Sequence, residues 1–375
     1  MIFNEEQSLI QQTARQYVAE KITPFAAGWD QQKTFPRDAL NGLAQLGFYG
    51  MLVPEQWGGC DIGYTSAAIV LEEIAAGDAA CSTIISVTNS VGCMPIFEFG
   101  DEWQKNEFLK PLASGEKLAA FCLTEPQAGS DAANIKTKAV LDASEYVLNG
   151  TKQFITSGKN ADIAIVFAVT DPEAGKRGIS AFIVPTNTPG YIVSSVEDKL
   201  GQHASDTCQI TFEDCRIPST NLLGEEGQGY KIALANLEGG RIGIAAQCVG
   251  IARAALEAAL LFSKERSAFG NPIADYQSIS FKLAEMATQI EAARQLIFHA
   301  AQLKDQGLPC LTQASMAKLF ASEISEKVCS EAIHIHGGYG YLKDFPVERF
   351  FRDVKVCQIY EGTNEVQKMV ISRSL

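Results

Sequence analysis

Ala161-Asp162-Ile163-Ala164-Ile165-Val166-Phe167-Ala168-Val169 lies near the middle of the 375-residue chain. Its dense β-branched and aromatic content is the composition of a strand. Ile179-Ser-Ala-Phe-Ile-Val184 repeats the pattern and stops at Pro185. Cys208-Gln-Ile-Thr-Phe-Glu-Asp-Cys215 alternates apolar and polar residues, the period of a half-buried strand. Turn residues separate these runs at Asn149-Gly150, Ser157-Gly158 and Pro189-Gly190. Strand character therefore occupies about Leu118 to Gly229, and both flanks read differently.

Upstream, the chain is helix-like from Asn4 to Lys117. Asn4 followed by Glu5, Glu6 and Gln7 predicts an N-cap and first turn. Pro36-Arg-Asp-Ala-Leu opens a further helix that Gly47 ends, and Ser66 to Ala76 is apolar nearly all round, which predicts burial. Downstream of Tyr230, Ile242–Arg266, Gln277–Gln306 and Leu311–Ile335 are long, Ala-rich and amphipathic. Gly307-Leu-Pro309 ends one helix and starts the next. The order is helices, a small sheet, helices, with neither an internal repeat nor a low-complexity stretch.

The formal net charge of −13 argues against nucleic-acid binding, which needs Lys and Arg in excess. The ten cysteines form no C-x-x-C pair and lie at no zinc-ligand spacing, so they read as small core residues in a reducing compartment. His334 and His336, two residues apart, do not share a helix face, so no metal is expected. The N-terminus shows no signal or transit pattern and no apolar run looks long enough to span a bilayer, which predicts a cytoplasmic protein without stable membrane insertion. No G-x-G-x-x-G follows a strand, which disfavours a Rossmann site.

Six segments carry candidate chemistry. Phe121-Cys122-Leu123-Thr124-Glu125-Pro126-Gln127-Ala128-Gly129-Ser130-Asp131 combines hydroxyls with a Gly-Ser turn whose N–H groups suit an anion or a heteroaromatic edge. It is equally readable as a plain boundary loop. Phe154-Ile155-Thr156 offers a flat face beside a hydroxyl, or simply core. Glu238-Gly239-Gly240-Arg241 places two glycines in a helical pattern, at about 1 kcal/mol each relative to Ala. That cost implies close approach of something to the helix, a ligand or another helix. Arg266-Ser-Ala-Phe269-Gly270, with Gln277, is either a C-terminal dipole partner or a pyrophosphate clamp. His334-Ile335-His336-Gly337-Gly338 is a turn where backbone can meet ligand. Tyr360-Glu361-Gly362-Thr363-Asn364-Glu365 sets a carboxylate on a turn before a last helix, which Thr363 or Asn364 would cap. Taken alone, such a Glu is more often solvent-exposed.

Together these motifs (T-E-P-x-A-G-S-D, F-I-T-S-G, G-G-R-I-G-I-A, R-S-A-F-G, H-G-G-Y-G-Y and I-Y-E-G-T-N-E) resemble the acyl-CoA dehydrogenase family, in order and over essentially the whole chain. The short-chain and short/branched-chain members are the most similar. The resemblance implies an α+β, mostly α fold: an N-terminal helical domain (1–118), a small β-barrel-like middle domain (119–229) and a C-terminal four-helix bundle (230–375). It implies FAD, an acyl-CoA substrate, an electron-transferring flavoprotein as acceptor, and a homotetramer built as a dimer of dimers. Glu361 would be the base for the α-proton, with β-hydride passing to flavin N5. Phe121, Cys122, Leu123, Thr124, Gly129 and Ser130, with Phe154, Ile155 and Thr156, would line the flavin. Arg266, Phe269, Gln277, His334, Ile335, His336, Gly337 and Gly338 would hold the neighbouring subunit's FAD, and Thr363, Asn364 and Glu365 its phosphates. Ser130, Glu238, Gly239, Gly240, Arg241, Tyr360 and Gly362 would touch the acyl-CoA, with Arg241 ordering the pocket electrostatically. The two glycines suggest room for a short branched acid. Many members carry Trp where Phe154 stands and Gln where His334 stands. A minority carry the base on the helix near Glu238. The competing readings are an oxygen-using flavoenzyme of the same fold, such as an acyl-CoA oxidase, and a non-catalytic helical scaffold.

Overall fold

The computed structural model describes residues 3–375. Asn4 caps the first helix, Glu5–Lys21, through a capping box with Gln7, and Arg37–Gln45 begins directly after Pro36. Gly63–Gly77 is buried nearly all round and packs on Gly229–Glu265, a 37-residue helix that begins well before Ile242. The chain keeps helical geometry through its glycines because neighbouring helices and the loop before the last helix fill the space that side chains would take. Gln277–Asp305, Leu311–His336 and the short Asn364–Ser372 complete the C-terminal helices, and Gly307 turns between the first two at φ +67°.

Ala79–Phe99 and Gly229–Glu265 are long and apolar enough to cross a membrane, contrary to expectation. Their most apolar windows are 94% and 67% buried inside the protein, and both serve as core helices. The N- and C-terminal helices share a single core, running from Ala14 through Ile69 and Val249 to Cys357. Four helices are also laced across Glu72 and Glu73. Arg15 and Arg253 bind Glu73 at 2.8 and 2.7 Å, and Arg294 binds Glu72 at 2.8 Å.

Eight strands form one sheet: β1 Ala119–Cys122, β2 Lys138–Asp142, β3 Glu145–Thr156, β4 Ile163–Val169, β5 Ile179–Pro185, β6 Tyr191–Val196, β7 Thr207–Pro218 and β8 Leu222–Leu223. The order is β6-β7-β3-β2-β4-β5-β8, with β1 joined in parallel to β4. It is therefore an open, branched sheet and not a closed barrel. β4 and β5 are buried along nearly their full length, because the sheet carries apolar packing on both faces. Asn149-Gly150 is not a turn. It lies inside β3 at a register shift against β7, where Gly150 takes φ +151°. The hairpin turn falls instead between Asp142 and Glu145, with Ala143 at φ +56°.

Candidate active site

Among the described residues, four of the nine non-glycine residues with positive φ fall in the segments singled out by sequence. Phe154, Ser157, Phe269 and Glu361 all hold positive φ, at 59°, 58°, 52° and 55°. Such conformations cost roughly 1–3 kcal/mol each for non-glycine residues and persist where the surroundings over-determine them.

Glu361 is held from three sides. Lys318, fully buried on the Leu311–His336 helix, donates from Nζ to the Gly362 carbonyl at 2.9 Å and to Asn364 Oδ1 at 3.1 Å. Gln367 Nε2 donates to the carbonyls of Glu361 and Gly362 at 3.2 and 2.9 Å. Thr363 Oγ1 caps the last helix by accepting from the Val366 N–H. Asn364, the other cap candidate, spends its side chain on Lys318 and Ser322 instead.

The Glu361 carboxylate rests against Gly240. A Cβ at that position would sit 2.6 Å from Oε2 and 2.9 Å from Cδ. Beside it, Gly239 accommodates the Tyr64 ring, whose Cε1 a Cβ would meet at 2.9 Å. Both glycines thus make room for protein side chains, and the space they were expected to leave for an acyl branch is taken. Oε2 is shut off from solvent and has no hydrogen-bond partner. Burial raises the Glu361 pKa to about 7, and the nearby cations Arg241 and Lys318 oppose the rise without cancelling it. Arg241, 6% exposed, donates to Ser315 Oγ at 3.1 Å and leaves its Nε unpaired.

Glu238 faces elsewhere. Its Oε1 accepts from Lys304 Nζ at 2.8 Å and from the Cys310 thiol at 3.2 Å. The helix position that confronts the last loop is Gly240, so the expected rival carboxylate is turned away and ion-paired. Tyr360 donates its hydroxyl to Gln247 Oε1 at 2.7 Å and lies 3.4 Å from both Gln202 Nε2 and Thr83 Oγ1, one residue from each of the three parts of the chain.

A second wall comes from the sheet. Thr124 and Thr156 are half-buried, Gly129 and Ser130 stand exposed, and Phe154 is 64% exposed. Cys122, Leu123 and Ile155 turn their side chains into the core, so they can offer a ligand only backbone.

Models of the acyl-CoA dehydrogenase N-terminal, middle and C-terminal domains match residues 4–116, 120–215 and 227–375. An acyl-CoA dehydrogenase of Bacillus subtilis (strain 168) is 49% identical, with 100% of this chain and 99% of that protein covered. The chain belongs to the acyl-CoA dehydrogenase family. Butyryl-CoA dehydrogenase from Megasphaera elsdenii superposes on it with a TM-score of 0.97 at 45% identity, covering 100% of this chain and 99% of that one. So does a chain from the structure of the electron transferring flavoprotein of Acidaminococcus fermentans, studied for flavin-based electron bifurcation (TM-score 0.98, 45% identity, 100% and 99% covered).

This acyl-CoA dehydrogenase is an oxidoreductase acting on CH–CH bonds, and its cofactor is FAD. The residues present fit that group. An apolar ring held out on a strained backbone at Phe154, half-buried hydroxyls at Thr124 and Thr156, and a buried Ser157 Oγ with no partner make a wall suited to a flat heteroaromatic. A third group of residues gathers around the Phe262 and Tyr339 rings. Phe269 is 96% exposed, Arg266 stands 5.7 Å over the Tyr339 ring, and Gln277, His334, Gly337 and Gly338 are exposed around them. Ile335 and His336 are buried there, with His336 stacked on Phe262 at 4.3 Å.

Sequence reasoning missed Lys318, Gln367 and Tyr64. A lysine in an amphipathic helix reads as solvated, and only the fold shows that Lys318 points inward at a loop 44 residues downstream.

A raised pKa at Glu361 makes a catalytic role for it testable. The acid limb of kcat/KM is expected to centre near pH 7, with activity rising as pH rises through it, because only the carboxylate removes a proton. A limb centred near 4.5 in a pH–rate profile would show that Glu361 is not desolvated in the working enzyme.

Proposed function

We propose that this enzyme dehydrogenates short, straight acyl-CoA thioesters to 2-enoyl-CoA, with Glu361 removing the α-proton. One observation carries the reading: Glu361 Oε2 is buried, unpaired and seated in the notch that Gly240 leaves. A carboxylate with an ordinary pKa near 4.3 is too weak for an α-proton, and desolvation supplies the basicity. The Glu361 backbone N–H serves the thioester oxygen as charge develops there. Arg241 tempers the carboxylate electrostatically without bonding to it. FAD supplies the hydride acceptor when bound, and Thr124, Gly129, Ser130 and Phe154–Thr156 would hold its ring.

Arg266, Phe269, Gln277, His334, Gly337 and Gly338 are exposed, with Ile335 and His336 buried beside them, which supports their serving a neighbouring subunit's FAD in a homotetramer. Likeness to the butyryl-CoA enzyme supports a short substrate, and the filling of Gly239 and Gly240 by Tyr64 and Glu361 favours straight chains over branched ones. Likeness to the Acidaminococcus fermentans chain supports an electron-transferring flavoprotein as acceptor. Nine buried thiols among ten suit a cytoplasmic setting.

The test is anaerobic mixing with butyryl-, isobutyryl- and 2-methylbutyryl-CoA. Butyryl-CoA is expected to bleach the flavin absorbance fastest and to give the highest kcat/KM, by at least about tenfold per added branch methyl. Faster bleaching by a branched substrate would overturn the substrate assignment, and no bleaching by any of them would overturn the reaction. Rapid peroxide release in air, exceeding dye reduction, would favour an oxidase.

A further inference from the structure

Beneath the proposed flavin wall lies a charge pair that the chemistry above does not use. Lys152, on β3, is 0% exposed, and Glu125, in the loop after β1, is 3% exposed. Lys152 Nζ donates to Glu125 Oε1 at 2.8 Å and to the Leu123 carbonyl at 3.1 Å. Between those two residues, the Thr124 carbonyl accepts from the Gln153 N–H at 2.8 Å. Three consecutive residues, 123 to 125, are thereby fastened to two consecutive residues, 152 and 153. Phe154 and Thr156 follow at once on the same strand, where the register against β7 slips between Lys152 and Ile155.

The Glu125 carboxylate also closes the loop beyond it. It accepts from the Lys136 and Thr137 N–H groups at 2.6 and 2.9 Å and from Gln127 Nε2 at 2.7 Å. Gly129 and Ser130 lie within that closed loop. Burial works against its ionisation, but Lys152 and these donors overcome it and hold the carboxyl at about 2.

A buried ion pair is a poor way to gain stability, since desolvating both charges offsets their attraction and apolar replacements of similar volume are often as stable. Its geometry is what an apolar pair cannot supply. We propose that Lys152 and Glu125 are positioning residues that set Thr124 and Ser130 against Phe154 and Thr156, and so fix the shape of the flavin wall. The inference rests on the assignment of that wall under the proposed function.

The test compares Lys152→Met, Glu125→Leu and the double variant as holoenzymes. Readouts are thermal unfolding, FAD dissociation by flavin fluorescence, the visible flavin spectrum and the flavin midpoint potential. Each single variant leaves a buried charge unpaired and is expected to melt earlier. The double variant is expected to regain the part of the melting temperature lost to the unpaired charge, though not the part owed to the Lys136 and Thr137 N–H groups left without an acceptor, while binding FAD at least about tenfold more weakly, with a shifted spectrum. A double variant with wild-type FAD affinity, spectrum and potential would show the pair to be structural only. Should Lys152→Met fail to fold, Glu125→Gln carries the test, and wild-type FAD affinity and spectrum there would equally overturn it. Thr124→Val and Phe154→Ala check the premise in the same assay. If neither changes the spectrum, the wall assignment falls and the proposal with it; if they do and the double variant does not, the proposal alone falls.

Discussion

Glu361→Gln is expected to keep FAD and acyl-CoA bound and to lose at least about 10³-fold in kcat, within the range for removal of a positioned general base. The amide fills the same notch beside Gly240 but cannot accept the α-proton. The same change should stabilise the folded chain above neutrality. The raised pKa means that the native state holds the Glu361 proton more tightly than the unfolded chain does. Its favourable contribution is complete below about 4.5, the ordinary carboxyl value, and is lost as pH rises through about 7. Gln, neutral throughout, escapes that loss, worth at most about 3 kcal/mol. Melting curves of the two proteins should therefore diverge between pH 5 and about 8, with the variant the more stable on the alkaline side. Glu238→Gln is the control: it breaks an ion pair with Lys304 and should leave turnover within about tenfold of wild type, since that pair is partly exposed. Near wild-type turnover in Glu361→Gln, or its collapse only in Glu238→Gln, would move the base to Glu238.

Gly240→Ala should separate folding from catalysis. A methyl group there would lie 2.6 Å from Glu361 Oε2, so the carboxylate must swing away. The atom displaced is the end of a flexible side chain, and Ala in place of a helical Gly gains about 1 kcal/mol, so stability should change little. A displacement of about 1 Å at a reacting group can cost about 10²-fold, and kcat should fall by that order. The acid limb of the pH–rate profile should move with it, because the displaced carboxylate enters a different environment. Unchanged kcat would mean that the notch is not where the base works.

The helix–sheet–helix order was legible because Ile163–Val169 and Ile179–Val184 cannot be mistaken for amphipathic helix. The details that failed did so for identifiable reasons. Asn149-Gly150 reads as a turn, yet a bulge inside β3 has the same need for a permissive backbone. The barrel-like middle domain came from the resemblance and holds loosely, since the sheet does not close, and pairings such as β1 with β4 are long-range matters that strand composition does not encode. Gly239 and Gly240 did announce close approach, but their neighbours, Tyr64 and Glu361, are 175 and 121 residues away in sequence. Glu361 was singled out only through six motifs in order, since burial of a turn residue depends on what folds over it. Lys152 and Lys318 were invisible for the same reason.

Tyr360 adds a consequence for how competence arises. Its hydroxyl meets Thr83 from the N-terminal helices, Gln202 from the sheet's loops and Gln247 from the long C-terminal helix. The next residue in the chain, Glu361, is the proposed base. Undocking any one of the three parts therefore removes a tie on the residue that directly precedes Glu361. Under the proposed mechanism, competence for proton abstraction is expected to follow the docking of all three parts, and a partly assembled chain to act slowly on thioesters.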